Sequence, residues 1–119
     1  MIDTFEYNIK SKNAYAVVTW TGPMTKNARG QLEKCHQDLL LFESKIVILY
    51  FKDVLTLDAS VYRELTLLQQ DIRKKNKALN LVGLCANKKQ MLIDKGVVRM
   101  NEIKTSLAEA LNLKLSAVK

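Results

Sequence analysis

Residues 44–70, SKIVILYFKDVLTLDASVYRELTLLQQ, decide the fold of this 119-residue chain. The apolar run at 46–51 is too short for a typical helix and is rich in β-branched and aromatic residues, which predicts a buried strand. Residues 52–58 are predicted to form a turn, and a helix is predicted to begin at the Asp58-Ala59-Ser60 corner. The helix has one apolar face at helical spacing, formed by Val61, Leu65, Leu68 and Ile72. A strand that runs into a helix N-terminus is where α/β proteins place functional groups, because free N–H groups are exposed there.

The N-terminal part of the chain predicts a hairpin followed by a helix. Thr4–Ile9 alternates apolar and polar residues, and Tyr15–Thr21 is a second strand, so the two are expected to pair antiparallel. Gly22-Pro23 is predicted to stop the second strand. Either Thr25 or Asn27 is the expected cap of the next helix. The apolar face of that helix consists of Ala28, Leu32, Cys35, Leu39 and Phe42.

The C-terminal half predicts shorter elements, which follow the end of the central helix near Lys74–Lys77. The first is a core strand at Ala78–Leu84. A short helix at Lys88–Lys95 follows, with Asn87 as its cap and Gly96 as its end. An edge strand at Val97–Ile103 then leads to a last helix, which begins with a capping box formed by Ser106 and Glu109.

The order β-β-α-β-α-β-α-β-α predicts an α/β fold. We expect a mixed, mainly parallel sheet of about five strands with four helices, its first strand antiparallel at an edge. The length predicts a single domain over 1–119, with its core at about 4–113. No apolar run approaches the ~20 residues that span a bilayer, and the N-terminus lacks a signal-peptide core. A cytoplasmic protein without membrane insertion is therefore expected.

The net charge of +7 is carried by the C-terminal half. Residues 1–69 hold eight basic and eight acidic residues, whereas residues 70–119 hold eleven and four. This excess indicates a solubilising surface, an acidic partner or an anionic membrane surface. Nucleic acid is not expected, because no recognition motif is present and the basic residues are not interleaved with aromatics. Cys35 and Cys85 are predicted to be buried free thiols, since each lies in an apolar pattern without metal spacing.

No catalytic, cofactor-binding or metal-binding motif is recognisable in the sequence. Asp53 and Asp58 are close in sequence, but Asp58 is better explained as a helix cap whose charge favours the helix dipole. His36, the only histidine, lacks an evident partner and is interpreted as a surface residue. We therefore expect a protein that is not an enzyme and has no cofactor.

Together, the order of elements and several short motifs resemble the STAS domain family of anti-sigma factor antagonists and their relatives. The resemblance covers roughly Phe5–Leu113 and is carried by Gly22-Pro23-Met24-Thr25, the turn KDVLTLDAS, Asn80–Leu84, Gly96-Val97 and SLAEAL near the end. It implies a bacterial signalling module that regulates transcription by binding an anti-sigma factor or serine kinase-type partner.

The family's switch is a phosphorylated serine that directly follows the turn aspartate. Here Asp58 matches, but Ala59 occupies the acceptor position, Ser60 matches the second serine, and Val61 replaces a glycine. The resemblance therefore implies a constitutive binder, because alanine cannot accept the charge of about −2 that phosphate would add. Ser60 is the remaining phosphorylation candidate at this helix start.

By analogy, the docking surface is the Asp53–Glu64 corner. Its expected partner-binding residues are Asp58, Ala59, Ser60, Tyr62 and Arg63, joined by the basic pair Lys88 and Lys89. Two alternatives stay open: an accessory STAS subunit of an ABC lipid-transport or sensory, stressosome-like complex, whose partner is an ATPase or scaffold, and a small ligand-binding or enzymatic α/β domain. A homodimer formed through the first strand is also compatible with the sequence.

Overall fold

The computed structural model describes residues 4–12 and 14–106. Five strands and three α-helices are found there: β1 (Glu6–Lys12), β2 (Tyr15–Met24), α1 (Arg29–Leu40), β3 (Ile46–Leu57), α2 (Tyr62–Lys74), β4 (Ala78–Val82), α3 (Ala86–Asp94) and β5 (Ile103–Lys104). The order of these elements is the predicted one. The predicted last helix, from Leu107 onward, lies outside the described residues, so three of the four expected helices are seen.

The five strands form one sheet in the order β1-β2-β3-β4-β5. β1 pairs antiparallel with β2, and the remaining neighbours pair parallel, which confirms the mixed sheet with an antiparallel edge. The alternating residues Val47, Leu49 and Phe51 of β3 pack in one cluster with the apolar faces of α1 and α2. Ile46 and Ile48 belong to a second, smaller cluster. The alternation of these two clusters along β3 reflects the two faces of the sheet.

The predicted helix faces are confirmed by the burial of their side chains. In α1, Leu32, Cys35 and Leu39 are buried. Around α2, the buried residues Val61, Leu65, Leu68 and Ile72 match the predicted stripe.

Both central strands are longer than predicted. β2 continues through Gly22 and Pro23, and β3 continues through the segment predicted as a turn, so that Met24 pairs with Leu57. The pairing shifts register twice, with one extra residue on β3 each time. Pro23 is tolerated because β1 pairs with β2 only as far as Thr21, which leaves that side of Pro23 unpaired.

The segment after α3 differs more from the prediction. The expected edge strand over 97–103 is reduced to β5, because Val97 and Val98 are buried in a loop whose N–H groups bond to Leu92 O at 2.9 and 3.4 Å. Asn87 lies inside α3 and does not cap it; the capping position is Cys85. Cys85 is exposed, which corrects the prediction of a buried thiol, whereas Cys35 is buried as expected.

Candidate functional site

Asp58 forms the corner between β3 and α2. Its backbone is extended, and its N–H bonds to Met24 O at 3.3 Å, which fixes the corner to the end of β2. Its carboxylate Oδ1 accepts the backbone N–H of Ser60 at 3.0 Å. The predicted cap is therefore confirmed: Asp58 satisfies a free N–H at the start of a 3₁₀ turn, Ala59–Val61, which leads into α2.

Ala59 and Ser60 are exposed at the tip of this corner, while the next residue, Val61, is completely buried. The Ser60 hydroxyl donates a hydrogen bond to the same Asp58 oxygen that accepts the Ser60 N–H. The candidate phosphorylation residue is thus held against a carboxylate. A phosphate on Ser60 would lie beside the charge of Asp58 and would displace this hydrogen bond.

The two residues that follow differ in exposure. Arg63 is exposed, as expected of a contact residue. Tyr62, which was also expected to contact the partner, is half-buried and packs against the main core cluster. Of the contact residues predicted at this corner, Asp58, Ala59, Ser60 and Arg63 are therefore the exposed ones.

Two side-chain bridges join α1 to α2 beside this corner. Arg29 Nε contacts Glu64 Oε2 at 3.1 Å, and His36 Nε2 contacts Asp71 Oδ2 at 2.7 Å. The interpretation of His36 as an ordinary surface residue is corrected, because its side chain is only 19% exposed and contacts Asp71. Partners of this kind, 35 residues apart, carry no signal in a single sequence; only the packing of two parallel helices brings them together.

The two bridges lie along a groove of about 560 Å³ between α1 and α2, which we call the α1–α2 groove. It is lined by Arg29, Leu32, Glu33, His36, Gln37, Leu40, Arg63, Glu64, Leu67 and Asp71. Because Arg63 belongs to both the corner and the groove, the two features form a continuous surface.

No family model and no curated protein matches this sequence. Solved structures do match nearly the whole chain. An anti-sigma factor antagonist from Mycobacterium paratuberculosis is 14% identical with a TM-score of 0.79, covering 93% of this chain and 94% of that one. The unphosphorylated anti-sigma factor antagonist SpoIIAA is 10% identical with a TM-score of 0.74, covering 96% and 99%. The STAS domain of a SulP transporter from Vibrio cholerae is 19% identical with a TM-score of 0.76, covering 92% and 87%.

This chain has the STAS fold. The identities are low enough that the likeness concerns the fold alone, and it confirms the fold implied by the sequence resemblance. In this STAS-fold chain, the Asp58 corner directly follows β3. The sequence resemblance implies that the family's phosphorylated serine lies at this same turn.

Lys88 and Lys89 lie in the first turns of α3 of the STAS fold. Lys89 is exposed, whereas Lys88 is half-buried with its Nζ 3.9 Å from Cys85 Sγ. Gly83, three residues before the start of α3, lies against Lys52. Asp58 is six residues after Lys52, a distance of about 20 Å if that segment is fully extended. That this basic pair and the corner contact one partner stays a prediction.

Over 4–12 and 14–106, no group of three or more His, Cys, Asp or Glu side chains is arranged to hold a metal ion. Within the same ranges, no helix has the length and hydrophobicity needed to cross a bilayer.

Proposed function

We propose that this chain is a non-enzymatic protein-interaction module whose partner docks on the Asp58 corner. The observation that carries the proposal is a helix start with an exposed tip, Asp58 to Ser60, on a fold shared with two anti-sigma factor antagonists. The partner class is an anti-sigma factor or a serine kinase-type protein. The protein acts in the cytoplasm and regulates transcription.

The same proposal includes a binding surface that is not switched by phosphate. Ala59 has no hydroxyl, and the Ser60 hydroxyl is engaged by Asp58. The surface therefore keeps one charge state. Incubating the chain with a candidate kinase and ATP, followed by mass spectrometry, tests this point: a phosphate on Ser60 would contradict it.

A second candidate is supported by the likeness to the SulP transporter domain. In that case the chain is an accessory subunit, and its partner is a transporter component, an ABC ATPase or a sensory scaffold. The docking surface is the same, but the identity of the protein that binds it differs.

Capture from the native cell extract separates these candidates. The immobilised wild-type chain is compared with Ala59→Glu, which places a charge in the middle of the surface, and with Gln70→Glu, which adds the same charge at an exposed site farther along α2. An anti-sigma factor or kinase retained by wild type and Gln70→Glu but lost with Ala59→Glu supports the first candidate. Transporter or scaffold subunits with this pattern favour the second, and capture unaffected by Ala59→Glu rules out the corner.

A homodimer through β1 is proposed on the pattern of its exposed residues. β1 is an edge strand, and Glu6, Asn8 and Lys10 are exposed on it. An antiparallel pair of two β1 strands centred on Asn8 would place Glu6 of one copy opposite Lys10 of the other, a favourable cross-strand arrangement. Light scattering of wild type and Lys10→Glu tests it: a monomer in both cases contradicts the dimer.

A further inference from the structure

Glu64 is an unusual carboxylate within the α1–α2 groove. Its side chain is only 6% exposed, and one oxygen, Oε2, accepts the Nε–H of Arg29. The other oxygen, Oε1, is buried without a hydrogen-bond partner among the described residues. Buried carboxylate oxygens are normally paired, because an unmade hydrogen bond leaves the cost of removing the group from water uncompensated. Glu64 therefore has unused capacity to accept a hydrogen bond.

The contact of Arg29 with Glu64 is partly exposed to solvent and is made through a single nitrogen. The Arg29 side chain is 49% exposed, and its Nε is the nitrogen that contacts Glu64. Once Arg29 swings outward and the Glu64 carboxylate turns so that the buried Oε1 faces the groove, a guanidinium with two parallel N–H groups can pair both Glu64 oxygens. Such fork-to-fork pairing is stronger and more directional than a single contact.

The groove beside Glu64 also suits the aliphatic part of such a ligand. Leu67 lies in the groove and is 43% exposed, so part of its side chain is available to a ligand. Leu32, on the facing helix, is buried below it. A ligand with a hydrocarbon stem and a planar cationic end would cover Leu67 while its end group reaches Glu64.

We propose that the α1–α2 groove binds an arginine side chain of the partner protein, with its guanidinium on Glu64 and its stem against Leu67. This assignment rests on the proposed function, because Arg63 makes the groove continuous with the Asp58 corner and one partner can cover both. Arginine fits better than lysine, since the acceptor is a planar carboxylate with two oxygens to fill.

The experiment uses a helical peptide of about 16 residues, long enough to be helical in water, with one arginine and a leucine one turn away. The matched peptide carries citrulline, which keeps the shape of arginine and removes its charge. Amide shifts of the isotope-labelled full chain are followed by NMR during titration. The arginine peptide is expected to shift amides around Arg29, Glu64 and Leu67 saturably, and the citrulline peptide to bind at least about tenfold more weakly.

Two variants of this chain and one control sharpen the result. Glu64→Gln is expected to weaken binding of the arginine peptide at least about tenfold, whereas Glu43→Gln, which neutralises an exposed carboxylate outside the groove, leaves binding unchanged. Arg29→Gln removes the competing internal donor and is expected to strengthen binding, an effect that a merely structural Glu64 would not produce.

Equal binding of the two peptides, or binding weakened by Arg29→Gln, would overturn the assignment. If Glu64→Gln does not fold, the Arg29→Gln result decides the question by itself. The peptide assay does not use the native partner. A failed peptide assay with intact, corner-dependent capture therefore rejects the groove and not the proposed function.

Discussion

His36 and Asp71, 35 residues apart in sequence, join α1 to α2 through a contact of 2.7 Å between Nε2 and Oδ2. Arg29 and Glu64 repeat the same separation seven residues earlier on each helix. Seven residues are about two helical turns, so the two bridges recur at the same relative position of parallel helices. Both contacts are therefore made at one register of α1 against α2, and both lie along the α1–α2 groove.

The His36–Asp71 bridge is expected to contribute measurably to stability. A double-mutant cycle of His36→Ala and Asp71→Ala should give a coupling free energy of about 0.5–1 kcal/mol, because both side chains are only partly exposed. The measurement is the free energy of unfolding in urea for the four proteins. As a control, Asp71→Ala combined with Gln37→Ala should be additive within about 0.3–0.5 kcal/mol. Additivity of the His36 and Asp71 changes would show that the contact contributes nothing.

Three glycines provide a graded test of backbone requirements. Gly83 has φ +87°, and a Cβ added to it would lie 2.6 Å from Lys52 N. Gly83→Ala is therefore expected to lower the free energy of unfolding by roughly 2–5 kcal/mol, through backbone strain and overpacking. Gly96 has φ +72° but open space around it, and Gly96→Ala is expected to cost about 1–2 kcal/mol. Gly30 lies inside α1, and a Cβ added to it would meet no atom within 4 Å. Gly30→Ala is therefore expected to raise the free energy of unfolding by up to ~1 kcal/mol. Denaturant unfolding of the three variants gives the ranking, and equal effects at Gly83 and Gly96 would contradict the role of the Lys52 contact.

Gln69 ties the buried loop after α3 to α2. Its side chain is completely buried; Nε2 donates to Leu65 O at 3.1 Å and to Val97 O at 3.0 Å, and Oε1 accepts from Arg73 at 3.3 Å. Gln69→Leu keeps a similar volume but leaves Val97 O without this donor, so a loss of about 1–3 kcal/mol in unfolding free energy is expected.

Gln70→Leu is the matched control for that change, because Gln70 is exposed on the same helix. Gln70→Leu should change the free energy of unfolding by no more than about 0.5 kcal/mol. Similar stabilities of the two variants would mean that the Gln69 hydrogen bonds do not hold the loop.

The pH dependence of stability is expected to depend on Tyr7. Its hydroxyl donates to the Asp38 carboxylate, and this bond, together with burial, raises the pKa of Tyr7 from 10.0 to about 12. Because the folded-state pKa lies above the unfolded value, the stabilisation is complete below about pH 10 and is lost as the pH rises through 12. Tyr7→Phe should therefore flatten the decline of stability between these values.

Absorbance titration at the phenolate band measures the same effect directly. Asp38→Asn removes the ionised acceptor and should lower the pKa of Tyr7 towards 10.0. An unchanged high-pH transition in Asp38→Asn would assign the raised pKa to burial alone.

The two thiols are expected to differ strongly in reactivity. Burial raises the pKa of Cys35 to about 11, whereas the N–H of Lys88 at the start of α3 lowers the pKa of the exposed Cys85 below 9.0. At neutral pH the thiolate fraction of Cys85 is therefore expected to be much larger than that of Cys35. Iodoacetamide should therefore alkylate Cys85 first, as read by peptide mass mapping, and Cys35 only after unfolding. Comparable rates in the folded chain would contradict the burial of Cys35.

Much of the fold could be predicted because local patterns and tertiary packing agree in most elements. The apolar stripe beginning at Val61 and the run at 46–51 each identify one element, since their side chains are buried where periodicity places them. The prediction failed where pairing overrides local signals. Gly22-Pro23 and residues 52–57 look like turns in isolation, but they pair with each other as extensions of β2 and β3.

The sequence by itself determined the element order, the Asp58 cap and the absence of a phosphate acceptor at Ala59, because these depend on residue identity and near neighbours. The tertiary structure decided which distant residues meet: Arg29 with Glu64, and His36 with Asp71. Single-sequence periodicity defines a helix face but does not contain the offset between two helices. That offset arises only when both helices pack on the same sheet, and it creates the groove beside the corner.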